Sequence, residues 1–498
     1  MTRHLLWGKL QRAGLEGWAL QAVQAPYAAV PMGVKTQGGY TRCFEVRMGV
    51  KQGCPLSPTL FGLYLDDFAE GLLGAVGAVQ AALPTWESGA HVPPLFYAED
   101  QALLAISPEG LQRQLQYLGT YCATWGLTVN TAKTKVVVYA AATPEGVGDV
   151  HYGGATIDRV TSFRYLGVEL HSTHASCAAA AARALAGRQA LHTLRRRMAQ
   201  SGLQEPKLAM ALFDEHVRPV MAYGVEIWGP QLMTAALSGR RADACERVQL
   251  AFLRALLGVQ DTCPTLTVLA ETGRLPLAIQ WVVQTTRFAR RLVGLDDSRV
   301  VKQAFRDSLA LAAQGGNAGR GRRCWAAEVG ELLSLLGQGD ALLRGEMPGE
   351  VRESAIQLHC NQYRPEACGP MVQRYQEEMR GGAVGDSTCR IPASYLKAVP
   401  ERCSRVPLDR VRTGGSCLPE DRGRILRRAR EERPCPCGSP LGSARHCLLE
   451  CPLTAELREQ FASLFPHQQT LAEFLSGEEQ RRVAQYVEAC LALDCWAA

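Results

Sequence analysis

Residues 93–106 read PPLFYAEDQALLAI. Two short apolar runs flank a pair of adjacent acids, Glu99 and Asp100. The runs are too short for helices, so they predict a strand, a turn and a second strand. Such a hairpin thrusts both carboxylates to one end of a sheet. Like charges side by side resist burial and call for compensation by a cation or by water.

Outward from this stretch the chain alternates helix and strand patterns. Towards the N-terminus, residues 49–72 read GVKQGCPLSPTLFGLYLDDFAEGL. Gly53, Pro55 and Pro58 make a rigid turn. Ser57 is placed to cap a helix with Pro58 at its first position, and Leu60, Phe61, Tyr64, Leu65, Phe68 and Leu72 recur at helical spacing. The Val-, Thr- and Gly-rich tract from Val30 to Val50 predicts a β-hairpin, and HLLWGKLQRAGL an amphipathic helix ending near Gly14. Towards the C-terminus, Ser107-Pro108-Glu109 opens a helix with the stripe Leu111, Leu115, Leu118, Cys122 and Trp125, closed by Gly126. LTVNTAKTKVVVYA and FRYLGVEL return to strand composition. From about Cys177 the pattern is helical, interrupted by a glycine-rich linker at 314–323. The fold class is therefore α+β, an antiparallel sheet with helices followed by a mainly helical remainder.

Bulk properties narrow the class. The 498 residues are 47% hydrophobic, which suits packed domains and excludes a disordered chain. A net charge of +6 is compatible with nucleic acid without demanding it. The 18 cysteines are mostly scattered, and a chain this long builds a core without disulfides, so free thiols and a reducing, intracellular setting are expected. Neither a secretory signal nor an apolar run long enough for a membrane span is present, so no membrane partner is expected.

The chemistry-bearing candidates are few. Besides Glu99-Asp100, acidic doublets occur at Asp66-Asp67 and Asp296-Asp297, read as a solvated helix face and a solvated loop. Glu99-Asp100 is the pair whose setting suits Mg²⁺, which takes carboxylate oxygens and lets phosphate oxygens complete its octahedron. Two such ions can clamp the attacking and leaving oxygens of a phosphoryl transfer. Near the other end, RPCPCGSPLGSARHCLLECP offers Cys435, Cys437, His446 and Cys451 as a three-cysteine, one-histidine zinc set, with Cys447 as a substitute. A chance grouping in a cysteine-rich chain is the competing reading. Arg422 to Arg433 and Arg445 favour phosphate contacts, against the alternative of a solvated basic helix.

Taken together, GVKQGCPLSPTLFGLYLDDF, LFYAEDQALL, LTVNTAKTK and FRYLGV resemble, in order and spacing, the consecutive palm motifs of non-LTR (LINE-type) retrotransposon reverse transcriptases. RHLLWGKL, VMAYGVEIWG, LAETGRLPL and the Cys/His cluster extend the resemblance along most of the chain. It implies a partial polymerase palm at 1–150 and a primer-grip hairpin with a thumb-like helical region at 151–260. A helical region at 261–400, a basic segment with a zinc-knuckle-like cluster at 401–460 and C-terminal helices at 461–498 would follow. It implies an RNA template, a DNA primer and deoxynucleotides as partners, two Mg²⁺ at Glu99 and Asp100, and a structural Zn²⁺. By the same resemblance Gln52, Gly53, Pro55 and Tyr97 line the nucleotide and template pocket. Lys133 and Lys135 sit near the triphosphate, and Phe163, Tyr165, Leu166 and Gly167 hold the primer end.

Two departures lower the expected activity. The family's turn carries two aspartates, and here the first is Glu99, one methylene longer. The chain also begins after the motif that supplies the family's first catalytic aspartate. The expectation is an impaired RNA-directed DNA polymerase. The alternatives are a non-catalytic RNA- or DNA-binding protein and an inactive element relic.

Overall fold

The computed structural model describes residues 1–28, 31–46, 48–51, 53–76, 83–139, 148–240, 243–315, 323–385 and 388–496. The chain mixes helix with short strands and divides into two compact units. The first comprises Met1–Phe163, His171–Thr173 and Asp297–Asp307; the second comprises Arg164–Leu170, His174–Asp296 and Ser308–Ala498. Most of the linker expected at 314–323 lies outside the described residues.

Helices α1 (Arg3–Arg12), α2 (Gly17–Gln24), α3 (Ser57–Leu65), α4 (Phe68–Val76) and α5 (Pro108–Trp125) build the core of the first unit. Leu6 and Leu10 of α1, Leu60 and Tyr64 of α3, Phe68 and Leu72 of α4, and Leu115 and Leu118 of α5 are buried together. Full burial of each such side chain contributes about 1.5–3 kcal/mol before entropy is counted. The ends of α5 follow the sequence. Ser107 Oγ accepts from Gly110 N at 3.0 Å, and Gly126 closes the helix in the left-handed conformation.

The helix read from residue 57 onwards is in fact two. The chain breaks at Asp66-Asp67, although the apolar stripe continues across the break. Ser57 is not its cap: it lies inside α3, and its hydroxyl donates to Lys51 O at 2.5 Å.

Strands are short and paired in twos among the described residues. β1 (Pro31–Met32) pairs antiparallel with β4 (Phe44–Glu45), and inside that loop β2 (Lys35–Thr36) pairs with β3 (Gly39–Tyr40), which realises the hairpin expected at 30–50. β5 (Leu95–Tyr97) pairs with β6 (Asp100–Ala102) in the register Leu95↔Ala102, Phe96↔Gln101 and Tyr97↔Asp100. The strand expected over LTVNTAKTKVVVYA shrinks to β7 (Val136–Val137), because Asn130 starts a turn that accepts from Lys133 N. β8 (His151–Tyr152) pairs with β9 (Ala155–Thr156), and β10 (Arg159–Val160) runs parallel to β7. FRYLGVEL is a hairpin, not one strand: β11 (Ser162–Tyr165) turns at Leu166-Gly167 into β12 (Val168–His171).

The second unit is helical. The long helix Ala175–Gln200 buries Gly187, where a β-carbon would come within 2.5 Å of Met221 of the helix Arg218–Met221. Glycine is what lets these two helices approach. Further on, buried ion pairs stitch the unit: Glu271 with Arg412, and Asp409 with Arg405 at 3.6 Å. Tyr375 donates to Glu271 as a second donor, and Tyr395 donates to Asp409, whose Oδ2 has no hydrogen-bond partner among the described residues. No described helix is long and apolar enough to cross a membrane.

Candidate metal-binding turn and cysteine–histidine cluster

The β5–β6 hairpin turns through two residues, Ala98 and Glu99. Ala98 adopts φ +49°, the left-handed conformation a two-residue hairpin requires. On one face, Phe96 packs edge-on against Phe68, with ring centroids 5.3 Å apart. Phe68 also meets Tyr117 and Tyr121, so the hairpin is seated on an aromatic cluster of α4 and α5. On the other side, Tyr97, Glu99 and Asp100 are exposed. Neither carboxylate has a hydrogen-bond or ion-pair partner among the described residues. A seated, tight turn with two free carboxylates is an arrangement that can accept a hard cation.

The second doublet has a different role from the one expected. Asp67 is not simply a solvated residue. Its Oδ1 accepts from Lys9 Nζ at 2.5 Å and from Tyr121 OH at 2.6 Å. Lys9 is buried, and its ammonium also donates to Tyr64 O at 2.6 Å and lies 3.8 Å from the centre of the Trp125 ring. The rings of Tyr64 and Tyr121 complete the cage. Burial lowers the Lys9 pKa, with Asp67 acting against it; burial likewise raises Asp67, but the bonds from Lys9 and Tyr121 hold its carboxyl below the usual range. Asp67 therefore compensates a buried cation. Asp297 of the third doublet pairs with Arg306 at 2.6 Å.

The two lysines expected near a triphosphate differ. Lys135 is ion-paired to Asp158 at 2.5 Å, whereas Lys133 is exposed at the Asn130 turn and carries no ion pair among the described residues. Gly53 has φ +76° with open space where a β-carbon would stand, so its backbone, not crowding by the protein, requires glycine. Pro55 follows it and is exposed; Gln52 lies outside the described residues.

At the β11–β12 tip both turn residues have positive φ, Leu166 at +45° and Gly167 at +83°. Tyr223 OH donates to Leu166 O at 2.9 Å, and a β-carbon on Gly167 would lie 3.1 Å from the Tyr223 ring. The Arg183 guanidinium lies over that ring, 5.5 Å from its centre. Tyr223 was missed as a partner of this turn. The only signal was its place in VMAYGVEIWG, and nothing local says what it touches. Phe163 and Tyr165 of β11 are half-buried.

In the second unit, the ligand atoms of Cys435, Cys437, His446 and Cys451 all lie within 4.8 Å of one another. Cys435 Sγ is 3.6 Å from Cys451 Sγ, and Cys437 Sγ is 3.1 Å from His446 Nε2. Zn–S bonds of about 2.3 Å in a tetrahedron put sulfurs roughly 3.7 Å apart, so the donor set fits zinc. The tight Cys-Pro-Cys spacing is accommodated by Gly438 at φ +97° and by Cys435 N donating to Ser439 O. The Ser439 N–H chiefly lowers the Cys437 thiol to about 7, whereas burial raises Cys435 to about 12. Cys447 is buried, stands outside the four, and has its thiol pushed up by burial.

Several arginines around this cluster are engaged within the second unit, while Arg427, Arg428 and Arg430 are exposed. Arg402 donates to Ala255 O, Arg410 to Gly258 O and Arg422 to Trp496 O, while Arg433 holds Arg428 O. They satisfy backbone carbonyls within the second unit.

Parts of the chain resemble known proteins. Residues 10–170 match the family model for reverse transcriptase (RNA-dependent DNA polymerase). The N-terminal third is thus similar to a reverse transcriptase, and the chain is similar to proteins of non-LTR retrotransposons. It is similar to the "Probable RNA-directed DNA polymerase from transposon BS" of Drosophila melanogaster, 27% identical over 46% of this chain and 24% of that protein. It is similar also to the Pol polyprotein from the type-1 retrotransposable element R2 of Popillia japonica, 27% identical over 38% of this chain and 26% of that protein. The chain spans about a quarter of the length of these two relatives.

Proposed function

We propose that residues 1–150 form a partial polymerase palm that binds an RNA template, a DNA primer and deoxynucleotides, with the β5–β6 turn as its metal-binding edge. The observation that carries this reading is the pair of free carboxylates, Glu99 and Asp100, on a hairpin anchored through Phe96. Bound Mg²⁺ would neutralise phosphate charge and activate the primer hydroxyl. Asp100, at the start of β6, is held by strand pairing opposite Tyr97 and supplies the fixed carboxylate. Glu99 belongs to the turn itself, and its extra methylene displaces its carboxylate from where an aspartate would reach. Lys133 is free to meet the triphosphate, where a cation eases departure of pyrophosphate. Lys135 instead fixes Asp158 beside the β7–β10 pair. The β11–β12 tip, braced by Tyr223, is the part that would hold the primer end. Support for Zn²⁺ is the donor geometry of the four-residue cluster, where the metal would close the 435–451 loop.

Primer extension on an RNA template with Mg²⁺ or Mn²⁺ tests the palm. Slow incorporation is expected, abolished in Asp100→Ala. A misplacement of about 1 Å costs on the order of a hundredfold, so Glu99→Asp is expected to raise the rate by up to that factor. Incorporation that is indifferent to Asp100→Ala would overturn the assignment. Template binding without incorporation, in the native chain and in Glu99→Asp alike, would favour the non-catalytic reading, which the Glu99 departure already motivates.

A further inference from the structure

The second unit holds a cavity of about 720 Å³ whose wall draws arginines from separate stretches of the chain. Arg218 opens the helix Arg218–Met221, and Arg274 follows the left-handed Gly273. Arg287 lies on the helix Leu277–Val293, Arg352 opens the helix Arg352–Asn361, and Arg390 comes from further along. The helix Leu277–Val293 makes one wall by its periodicity. Trp281, Val282, Thr285, Thr286 and Ala289 are buried on its inner face. Gln280, Val283, Gln284 and Arg287, spaced i, i+3, i+4 and i+7, line the cavity.

The five guanidiniums share few acids. Asp214 accepts from Arg274 at 2.7 and 2.6 Å and lies 3.3 Å from Arg218. Glu353 pairs with Arg390 at 2.7 Å and is 4.0 Å from Arg352. Arg287 has no ion-pair partner among the described residues. Glu226 accepts from Gln284 at 2.9 Å. Counting Glu226 as well, and Glu246, which accepts from the lining residues Gln249 and Leu277, five guanidiniums face four carboxylates. The buried Nε of Arg274 also lacks an acceptor.

We propose that this cavity binds the phosphodiester backbone of a nucleic acid. Phosphate offers only acceptors, matching a wall of guanidinium and amide donors, and arginine forks engage its oxygens in pairs. The choice of a polymer over free phosphate rests on the reverse-transcriptase-like reading above; the match to phosphate chemistry does not.

The test is binding of a labelled single-stranded RNA of about 20 residues to the full chain across a salt series. Removing two phosphate contacts with Arg287→Gln and Arg390→Gln should weaken binding about tenfold and flatten the log–log salt slope by about 1.4. Gln280→Glu, an exposed change on the same stripe, should weaken it in the same direction without removing any ion pair. Thermal melts of the variants confirm that they fold. Unchanged affinity and slope in both variants would overturn the proposal. So would a wild-type chain that binds inorganic triphosphate but no RNA, since that result makes the cavity a small-anion site. Arginine-dependent RNA binding by a chain that incorporates no nucleotide would uphold this inference while the palm assignment fails.

Discussion

At the scale of single residues, four acids have three different duties. Glu99 and Asp100 have no side-chain partner among the described residues, Asp67 compensates Lys9, and Glu246 is buried in the second unit. Glu246 accepts from Leu277 N at 2.7 Å and Gln249 Nε2 at 3.0 Å, yet burial pushes its pKa up to about 7. The folded form therefore holds a proton that the unfolded chain, near 4.5, gives up earlier. Stability from this group is full below about pH 4.5 and is lost as the pH rises through 7, by up to about 3 kcal/mol. Glu246→Gln keeps the acceptor and removes the titration. Urea denaturation at pH 5.5 and 8 should show the variant gaining relative to wild type at the higher pH; a pH-independent difference would refute the assignment. These duties were only partly legible. The Glu99-Asp100 turn shows locally, through its apolar flanks. Lys9 meets partners 58 and 112 residues away, so no window of sequence contains its cage.

Among the elements, hairpins and capped helices were readable and interruptions were not. Ser107-Pro108 and Gly126 mark both ends of α5 because capping is a contact between near neighbours. The break between α3 and α4 is silent in the pattern, since Leu60, Tyr64, Leu65, Phe68 and Leu72 all remain buried across it. At the β11–β12 tip the sequence supplies Gly167 where φ is positive, but the tyrosine that braces the turn comes from 57 residues further on. Gly167→Ala combines a left-handed φ with a β-carbon 3.1 Å from the Tyr223 ring. It should destabilise the hairpin by about 1–2 kcal/mol. Faster amide exchange at the tip is the expected sign, and unaltered exchange would show that the turn is not under this constraint.

For the molecule as a whole, the mixed helix-and-sheet class and the two candidate metal sites were legible because each rests on a short run of residues. The arginine-lined cavity was not, since its wall is assembled from residues between 218 and 390. Near the Cys/His cluster, likewise, composition shows charge, while only the fold shows that Arg402, Arg410 and Arg422 donate to carbonyls. The cluster itself makes a prediction at this scale. Purified with zinc, the chain should carry about one ion, and a strong chelator should release it and lower the melting temperature. Cys435→Ser should reproduce the loss; full metal content in that variant would remove Cys435 from the ligand set.

The cage around Lys9 has a chemical consequence. An acylating reagent needs an uncharged amine that it can reach, and this one is enclosed by Tyr64, Tyr121 and Trp125 and tethered to Asp67. Its nucleophilicity is released only when α1 lifts from α3 and α5. The covalent labelling of one lysine near the chain start would thus serve as a clock for the opening of the whole N-terminal core.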